Sequence, residues 1–277
     1  MKKMAIIGGG AMAEALISGM IVNQFIKSED IWVTNRANQQ RLQYLETDYS
    51  VNTSYDYSEL FLGADIVILA VKPKDTAAVM ERIRKYVTEE MLIVSVLAGI
   101  SLKTIELLAG KSLAIARAMP NTSAAVGKSA TAIAVNQRVT EKQLKTIQRL
   151  FETVGLATFV EEKQLDAVTG LSGSGPAYIY YLIEAMENSA REIGLEQQIA
   201  KELIVQTLIG AAEMVKSSAK SAKQLRLDVT SPGGTTEAGV QVLEDNEVQR
   251  AFISCIKAAA ARSKTMGESL RLELKVH

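Results

Sequence analysis

The stretch Lys3-Met4-Ala5-Ile6-Ile7-Gly8-Gly9-Gly10-Ala11-Met12-Ala13 decides the fold. A short apolar run enters G-x-G-x-x-A and passes straight into the helical pattern of residues 14–22. Strand, Gly-rich turn and helix, in that order, are the context in which this pattern binds a dinucleotide. Gly8 permits the tight turn, Gly10 lets the main chain approach a pyrophosphate, and the small Ala13 keeps the helix close to the strand. Gly8, Gly10, Ala11, Met12 and Ala13 are therefore assigned to the cofactor.

Downstream, strand-like runs recur at 4–7, 31–34, 65–71, 92–97, 113–117, 130–135 and 157–160, separated by helical stretches at 11–22, 37–46, 75–86, 101–109 and 140–153. The alternation predicts an α/β, Rossmann-type, mostly parallel sheet with helices on both faces. Ligands of such sheets collect at the carboxyl ends of strands. That points to Ala70-Val71-Lys72-Pro73 and Ala98-Gly99 as further cofactor residues, and to the segment Ala118-Met119-Pro120-Asn121-Thr122, read as a loop after the 113–117 strand. At the end of the second strand, where NAD-binding proteins place a carboxylate for the ribose 2′-hydroxyl, stand Asn35 and Arg36, and no acidic residue follows until Glu46. A guanidinium there suits a 2′-phosphate, so NADP is expected, with NAD the alternative.

Beyond Glu161-Glu162-Lys163 the strand signal ends. Helices are expected near 163–171, 176–193, 196–217, 220–227, 235–244 and 247–268. The chain thus divides into a dinucleotide-binding domain, 1–162, and an all-α domain, 163–277. In 176–193 the apolar positions Ile179, Tyr180, Ile183, Met186 and Ala190 mark a helix packed among helices. The tyrosines Tyr178, Tyr180 and Tyr181 read as core and interface. A small helical domain with this many apolar faces does not bury them alone, so a homodimer through this half is expected, with a higher homo-oligomer left open.

Composition narrows the function classes. With 277 residues and 48% apolar content the chain can bury a sizeable core. Thirty-one basic residues balance thirty-one acidic ones, which removes the electrostatic case for nucleic acid or an anionic membrane. The one cysteine, Cys255, sits in an alanine-rich helical pattern and reads as a packing residue, so no disulfide framework exists. Met1-Lys2-Lys3 resembles the start of a signal segment, but three glycines break the apolar stretch, and no run reaches the roughly 18 apolar residues of a membrane span. The expected location is the cytoplasm, and no metal cluster is apparent.

The second informative stretch is Asp228-Val229-Thr230-Ser231-Pro232-Gly233-Gly234-Thr235-Thr236-Glu237-Ala238-Gly239-Val240-Gln241-Val242-Leu243-Glu244. Pro232 ends any preceding helix, the glycines admit unusual backbone conformations, and the threonines are able to cap the helix that follows. The amides of Gly234, Thr235 and Thr236 are then free to hold a ligand carboxylate at a helix start. Alcohol chemistry is excluded. A dehydrogenase acting on alcohols needs a proton-exchanging group such as His or a Tyr-x-x-x-Lys pair. Here the only histidine is His277, and no tyrosine has a lysine four residues later. Gly170, Gly173 and Gly175 fit the glycine frame of β-hydroxyacid dehydrogenases, but Ile179 and Ile183 occupy that family's Lys and Asn positions.

Together with Leu171-Ser172-Gly173-Ser174-Gly175-Pro176-Ala177-Tyr178, Met119-Pro120-Asn121-Thr122 and the N-terminal fingerprint, this stretch resembles pyrroline-5-carboxylate reductase across residues 4 to about 265. The resemblance implies NAD(P)H-dependent reduction of 1-pyrroline-5-carboxylate to L-proline by a Rossmann domain joined to an interlocking helical dimerisation domain. It maps Ser231, Gly233, Gly234, Thr235 and Thr236 to the substrate-carboxylate loop, with Met119, Pro120 and Asn121 also facing the substrate. Thr236 corresponds to the threonine beside the imine nitrogen. The upstream acidic residue of some members is missing, since Ala219 and Lys220 stand near its place. Hydride addition to a readily protonated imine needs no strong acid, so positioning carries most of the catalysis. The nicotinamide is expected across a crevice between the sheet edge and residues 231–236. Two alternatives stand beside this reading: an NADP-binding regulatory paralogue without turnover, and a reductase of a different cyclic imine.

Overall fold

The computed structural model describes residues 3–273, with side chains through 269, so His277 lies outside the described residues. Within them the chain forms two compact units. One comprises residues up to Pro176 together with those from Lys257 onward, and the other is Ala177–Ile256.

The first unit opens with β1 (Met4–Ile7) and α1 (Ala11–Val22), followed by β2 (Ile31–Thr34), α2 (Gln39–Tyr49), β3 (Asn52–Thr53), α3 (Tyr57–Phe61) and β4 (Ile66–Leu69). It continues through α4 (Thr76–Ile83), β5 (Leu92–Ser95), α5 (Leu102–Ala109), β6 (Ala114–Met119), β7 (Ser129–Val135), α6 (Glu141–Glu152), β8 (Gly155–Phe159) and α7 (Leu165–Val168). One sheet holds all eight strands in the order β3-β2-β1-β4-β5-β6-β7-β8. Every pairing is parallel except β6 with β7. The carboxyl ends of β2, β1, β4, β5 and β6 therefore share one edge.

Burial on both faces explains why the strands read as unbroken apolar runs. Side chains alternate across the sheet, so Met4 and Ile6 join the cluster of Leu16, Ile17, Leu45, Leu150 and Phe151, while Ala5 and Ile7 join Phe61, Met80, Ile83 and Ile105 on the other face. Each fully buried Ile or Leu contributes roughly 1.5–3 kcal/mol of burial free energy.

The expected parallel sheet and the 11–22 helix are found as read. Strand β3 and helix α3 had no signal, because β3 is two polar residues held by pairing with Trp32 and Val33. Ala118 and Met119, expected in a loop, continue β6 opposite Ile133 and Ala132. The expected division at 162/163 and the compact units also differ. Leu165 packs with Ala132 and Ala134 of β7. Near the other end of the chain, the Ser263 hydroxyl donates to Asp166 at 2.7 Å, and Gly267 lies against the Gly99 backbone. The loss of strand signal thus precedes the loss of contact with the sheet.

The second unit contains most of α8 (Gly175–Glu192), α9 (Gln197–Ser217), α10 (Ala222–Asp228), α11 (Thr235–Asp245) and the start of α12 (Val248–Glu273). Its buried apolar set among the described residues is Ala190, Ala200 and Ile204. Tyr178 packs edge-on to Phe252 at 6.0 Å between centroids, whereas Tyr181 is 75% exposed and Ile199, Leu203, Ile209 and Leu243 are also open. Cys255, expected at a helix interface, is exposed in the single chain.

Candidate active site

The fingerprint turn has the geometry a dinucleotide requires. Gly8 adopts φ +113°, and a Cβ there would stand 2.4 Å from the Ala70 carbonyl oxygen, so only glycine fits where β1 passes β4. Its N–H donates to Thr34 O at 2.8 Å, tying the turn to β2. Gly10 is the N-cap of α1 and offers no side-chain cap, and a Cβ on it would meet nothing within 4 Å. The N–H groups of Ala11 and Met12 have no acceptor among the described residues and stand at the positive end of a helix, which fits a diphosphate.

At the end of β2, the Asn35 side chain closes the following loop: its amide donates to Asn38 O at 2.7 Å and its oxygen accepts from Asn38 N at 2.8 Å. Tyr55 also donates to that oxygen at 3.2 Å. Asn35 therefore shapes the loop that presents Arg36, which is exposed and forms no ion pair among the described residues. Lys72 and Pro73 follow β4 at the same edge, and Pro73 opens a short turn into α4. Ala98 and Gly99 follow β5. Gly99 takes φ +75°, with Gly267 N 3.2 Å from where its Cβ would be, so one side of this glycine is covered by α12.

The Met119 and Ser172 motifs, 53 residues apart in the chain, meet in space. Asn121 donates through its side-chain amide to Ser172 O at 2.9 Å, and a Cβ on Gly173 would sit 3.0 Å from the Met119 methyl. Gly173 ends a π-helical turn, Thr169–Gly173, which brings the glycine-rich segment against β6. Beneath this edge lies Arg117, 5% exposed, paired with Glu162 at 3.4 Å and Asp166 at 3.7 Å. Glu162 also accepts the Leu102 N–H at 2.7 Å, at the start of α5. Contacts such as Asp166 to Ser263 span 97 positions and leave no trace in sequence periodicity.

Residues 231–236 form a turn in the second unit. Gly233 takes φ +72°, and Gly234 is the N-cap of α11 without a side-chain cap. Two expectations are corrected here. The Gly234 amide is not free, since it donates to Ser231 O at 3.0 Å as the turn closes. The threonines do not cap, because capping requires a side chain at the N-cap, and glycine occupies it. The amides and hydroxyls of Thr235 and Thr236 have no hydrogen-bond partner among the described residues and are exposed. Glu237 bonds back to the Gly233 N–H at 2.7 Å. Where the acidic residue was missing, Lys220 pairs with Asp228 at 2.8 Å, and hydrogen bonds from Lys220 and Gln224 hold the Asp228 carboxyl below its usual range.

Sequence reading missed the network behind the fingerprint. Arg41 of α2 donates to Gly9 O at 2.7 Å and pairs with Glu14 of α1. Tyr44 and Tyr49 each donate to the same carboxylate at 3.0 Å. Partial burial pushes the Glu14 carboxyl up, but the bonds from Arg41, Tyr44 and Tyr49 together outweigh it and leave the group below its ordinary value. The bond to Glu14 raises the Tyr44 phenol to about 12. A plain arginine on a polar helix gives no sequence signal of this kind.

A mostly parallel sheet with an uncapped glycine turn at its carboxyl edge defines a dinucleotide-binding protein of the α/β class. No helix among the described residues is long and apolar enough to cross a membrane. Residues 162–266 match the family model described as pyrroline-5-carboxylate reductase dimerisation, and residues 3–99 match NADP oxidoreductase, coenzyme F420-dependent. The chain is 47% identical to pyrroline-5-carboxylate reductase 2 of Bacillus subtilis, over 97% of this chain and 96% of that protein. It is 40% identical to the Synechocystis pyrroline-5-carboxylate reductase over 96% and 98%. Among solved structures, the Coxiella burnetii reductase superposes with a TM-score of 0.87 at 37% identity, covering 96% of this chain and 98% of that one. The Plasmodium falciparum pyrroline carboxylate reductase, solved with NADP bound, gives 0.88 at 30% with the same coverage. The chain belongs to the pyrroline-5-carboxylate reductase family.

Proposed function

We propose that this chain reduces 1-pyrroline-5-carboxylate to L-proline with NADPH, as a homodimer in the cytoplasm. The observation that carries the reading is the uncapped start of α11, where the amides and hydroxyls of Thr235 and Thr236 lack partners among the described residues. Such a helix start receives a carboxylate, as its dipole and orphan donors favour an anion.

NADPH, when bound, supplies the hydride. Gly10, Ala11 and Met12 would hold its diphosphate on a turn that Gly8 and the buried Ala13 shape, Arg36 would select the 2′-phosphate in the loop that Asn35 shapes, and Ala70 to Pro73 with Ala98 and Gly99 would line the remaining sheet edge. Met119 serves the substrate side, on a segment that Pro120 and the buried Asn121 hold in place, the Asn121 side chain donating to Ser172 O at 2.9 Å and accepting from Ser123 N at 3.1 Å. The amides of Thr235 and Thr236, presented by the turn that Ser231 and Gly233 shape, fix the carboxylate and therefore the ring. The Thr236 hydroxyl accepts a hydrogen bond from the protonated ring nitrogen and keeps it as the amine forms. Orienting two reactants in this way is worth on the order of 7–11 kcal/mol in favourable cases.

The helical unit's exposed apolar faces match a surface that a second copy covers. NADPH absorbance followed with 1-pyrroline-5-carboxylate, then with the six-membered analogue, tests the proposal. Fast oxidation with the five-membered ring supports it. Preference for the larger ring assigns a different imine, and NADPH binding without turnover on either assigns a regulatory paralogue.

A further inference from the structure

The fingerprint turn is three consecutive glycines, the residues with the most backbone freedom to lose. Among the described residues, the only side-chain hydrogen bond to this turn comes from Arg41, whose Nε donates to Gly9 O at 2.7 Å. The same guanidinium pairs with Glu14, which stands in the first turn of α1. We propose that Arg41 is a positioning residue for the dinucleotide, fixing the Gly9–Gly10 peptide and cancelling the Glu14 charge beside the diphosphate. The inference rests on the reading that this turn holds NADPH.

The peptide argument follows from planarity. In a trans peptide the carbonyl of Gly9 and the N–H of Gly10 point in opposite directions. Fastening the carbonyl to α2 therefore turns the Gly10 N–H away from Arg41, and that N–H has no acceptor among the described residues. Leu45 reinforces the arrangement, since a Cβ on Gly9 would lie 3.2 Å from its Cδ1. The charge argument is separate. A carboxylate in the first turn suits the helix dipole but has the same sign as the diphosphate. Glu14 is neutralised by Arg41 and hydrogen-bonded by Tyr44 and Tyr49 at 3.0 Å each, and the Tyr44 ring lies 5.1 Å from the guanidinium carbon. Both partners are about a quarter exposed, at 26% and 25%, within reach of a ligand's field yet shielded from full screening. Lysine cannot replace the fork, as a single ammonium does not present Nε and Nη in one plane.

The test is direct titration of NADPH by fluorescence, without substrate, on the full chain and on Arg41→Met, Arg41→Lys, Glu14→Gln and the Glu14→Gln/Arg41→Met double variant. Arg41→Met is expected to weaken NADPH binding about ten- to a hundredfold, the loss of one charge-assisted hydrogen bond, with KM for the imine and kcat at saturating NADPH nearly unchanged. Glu14→Gln alone is expected to change affinity little, while the double variant binds several-fold tighter than Arg41→Met. An unchanged affinity in a folded Arg41→Met would overturn the proposal. So would a Glu14 effect equal in both backgrounds, which would mean that Arg41 touches the cofactor on its own account. If Arg41→Met does not fold, Arg41→Lys decides: weaker NADPH binding at a near-normal Tm supports positioning, and wild-type affinity overturns it. A chain that binds NADPH as described but reduces no imine refutes the proposed function and leaves this inference standing.

Discussion

Replacing Thr236 by alanine removes one hydroxyl from the start of α11 and leaves every amide in place. In an ordinary helix start the same change would cost about 0.5–2 kcal/mol of stability through a lost cap. Here that cost is absent, because the N-cap is Gly234 and the Thr236 side chain bonds to nothing in the turn. Alanine is also the better helix former, by up to about 0.7 kcal/mol. Tm is therefore expected to stay within about 2 °C of wild type, given roughly 2–4 °C per kcal/mol for a chain in this size range. The chemical step should behave differently. If the hydroxyl steadies the ring nitrogen, its loss removes about 1.4–2.7 kcal/mol from the transition state, a ten- to hundredfold fall in kcat. Thr236→Ser retains the oxygen and should recover most of the rate. Steady-state kinetics and a melting curve on the same samples decide. A near-normal kcat for Thr236→Ala, or a slow enzyme whose Tm has also dropped by several degrees, would refute the reasoning.

Gly8→Ala combines backbone strain of about 1–3 kcal/mol with overpacking of about 1–3 kcal/mol against the Ala70 carbonyl, so Tm should fall by roughly 4 °C or more, and a melt within 1 °C of wild type contradicts the turn geometry. Arg36→Asp should raise KM for NADPH far more than for NADH, and equal effects would show that Arg36 does not meet the 2′-phosphate. Light scattering on the full chain at micromolar concentration should report at least a dimer, and a monomer would contradict the role given to the exposed faces of α8, α9 and α11.

Residues 4–22 were legible because strand, glycine turn and helix are local features, and the sheet's carboxyl edge followed from alternation alone. What the sequence did not reveal depends on long-range contact. Strand β3 exists only because β2 is there to pair with it. The bond from Arg41 to Gly9 joins two segments that no periodicity links, and the Arg117 pairs reach 45 and 49 residues along the chain. The loop at 231–236 was found as a turn feeding a helix start. Its finer reading failed at one amide, because Gly234 closes the turn with its own N–H, and the N–H groups without an acceptor there are those of Thr235 and Thr236. The second unit's apolar pattern was plain, but which residues remain open within one chain was not, since burial there belongs to the assembly.

The central claim is hydride transfer to the imine carbon of 1-pyrroline-5-carboxylate. Incubation with NADPH deuterated at the transferring position of C4, followed by mass analysis of the product, tests it directly. The account predicts L-proline carrying one deuterium at the carbon derived from the imine, formed in step with NADPH oxidation. Unlabelled proline, or no proline from an enzyme that binds NADPH, would contradict it.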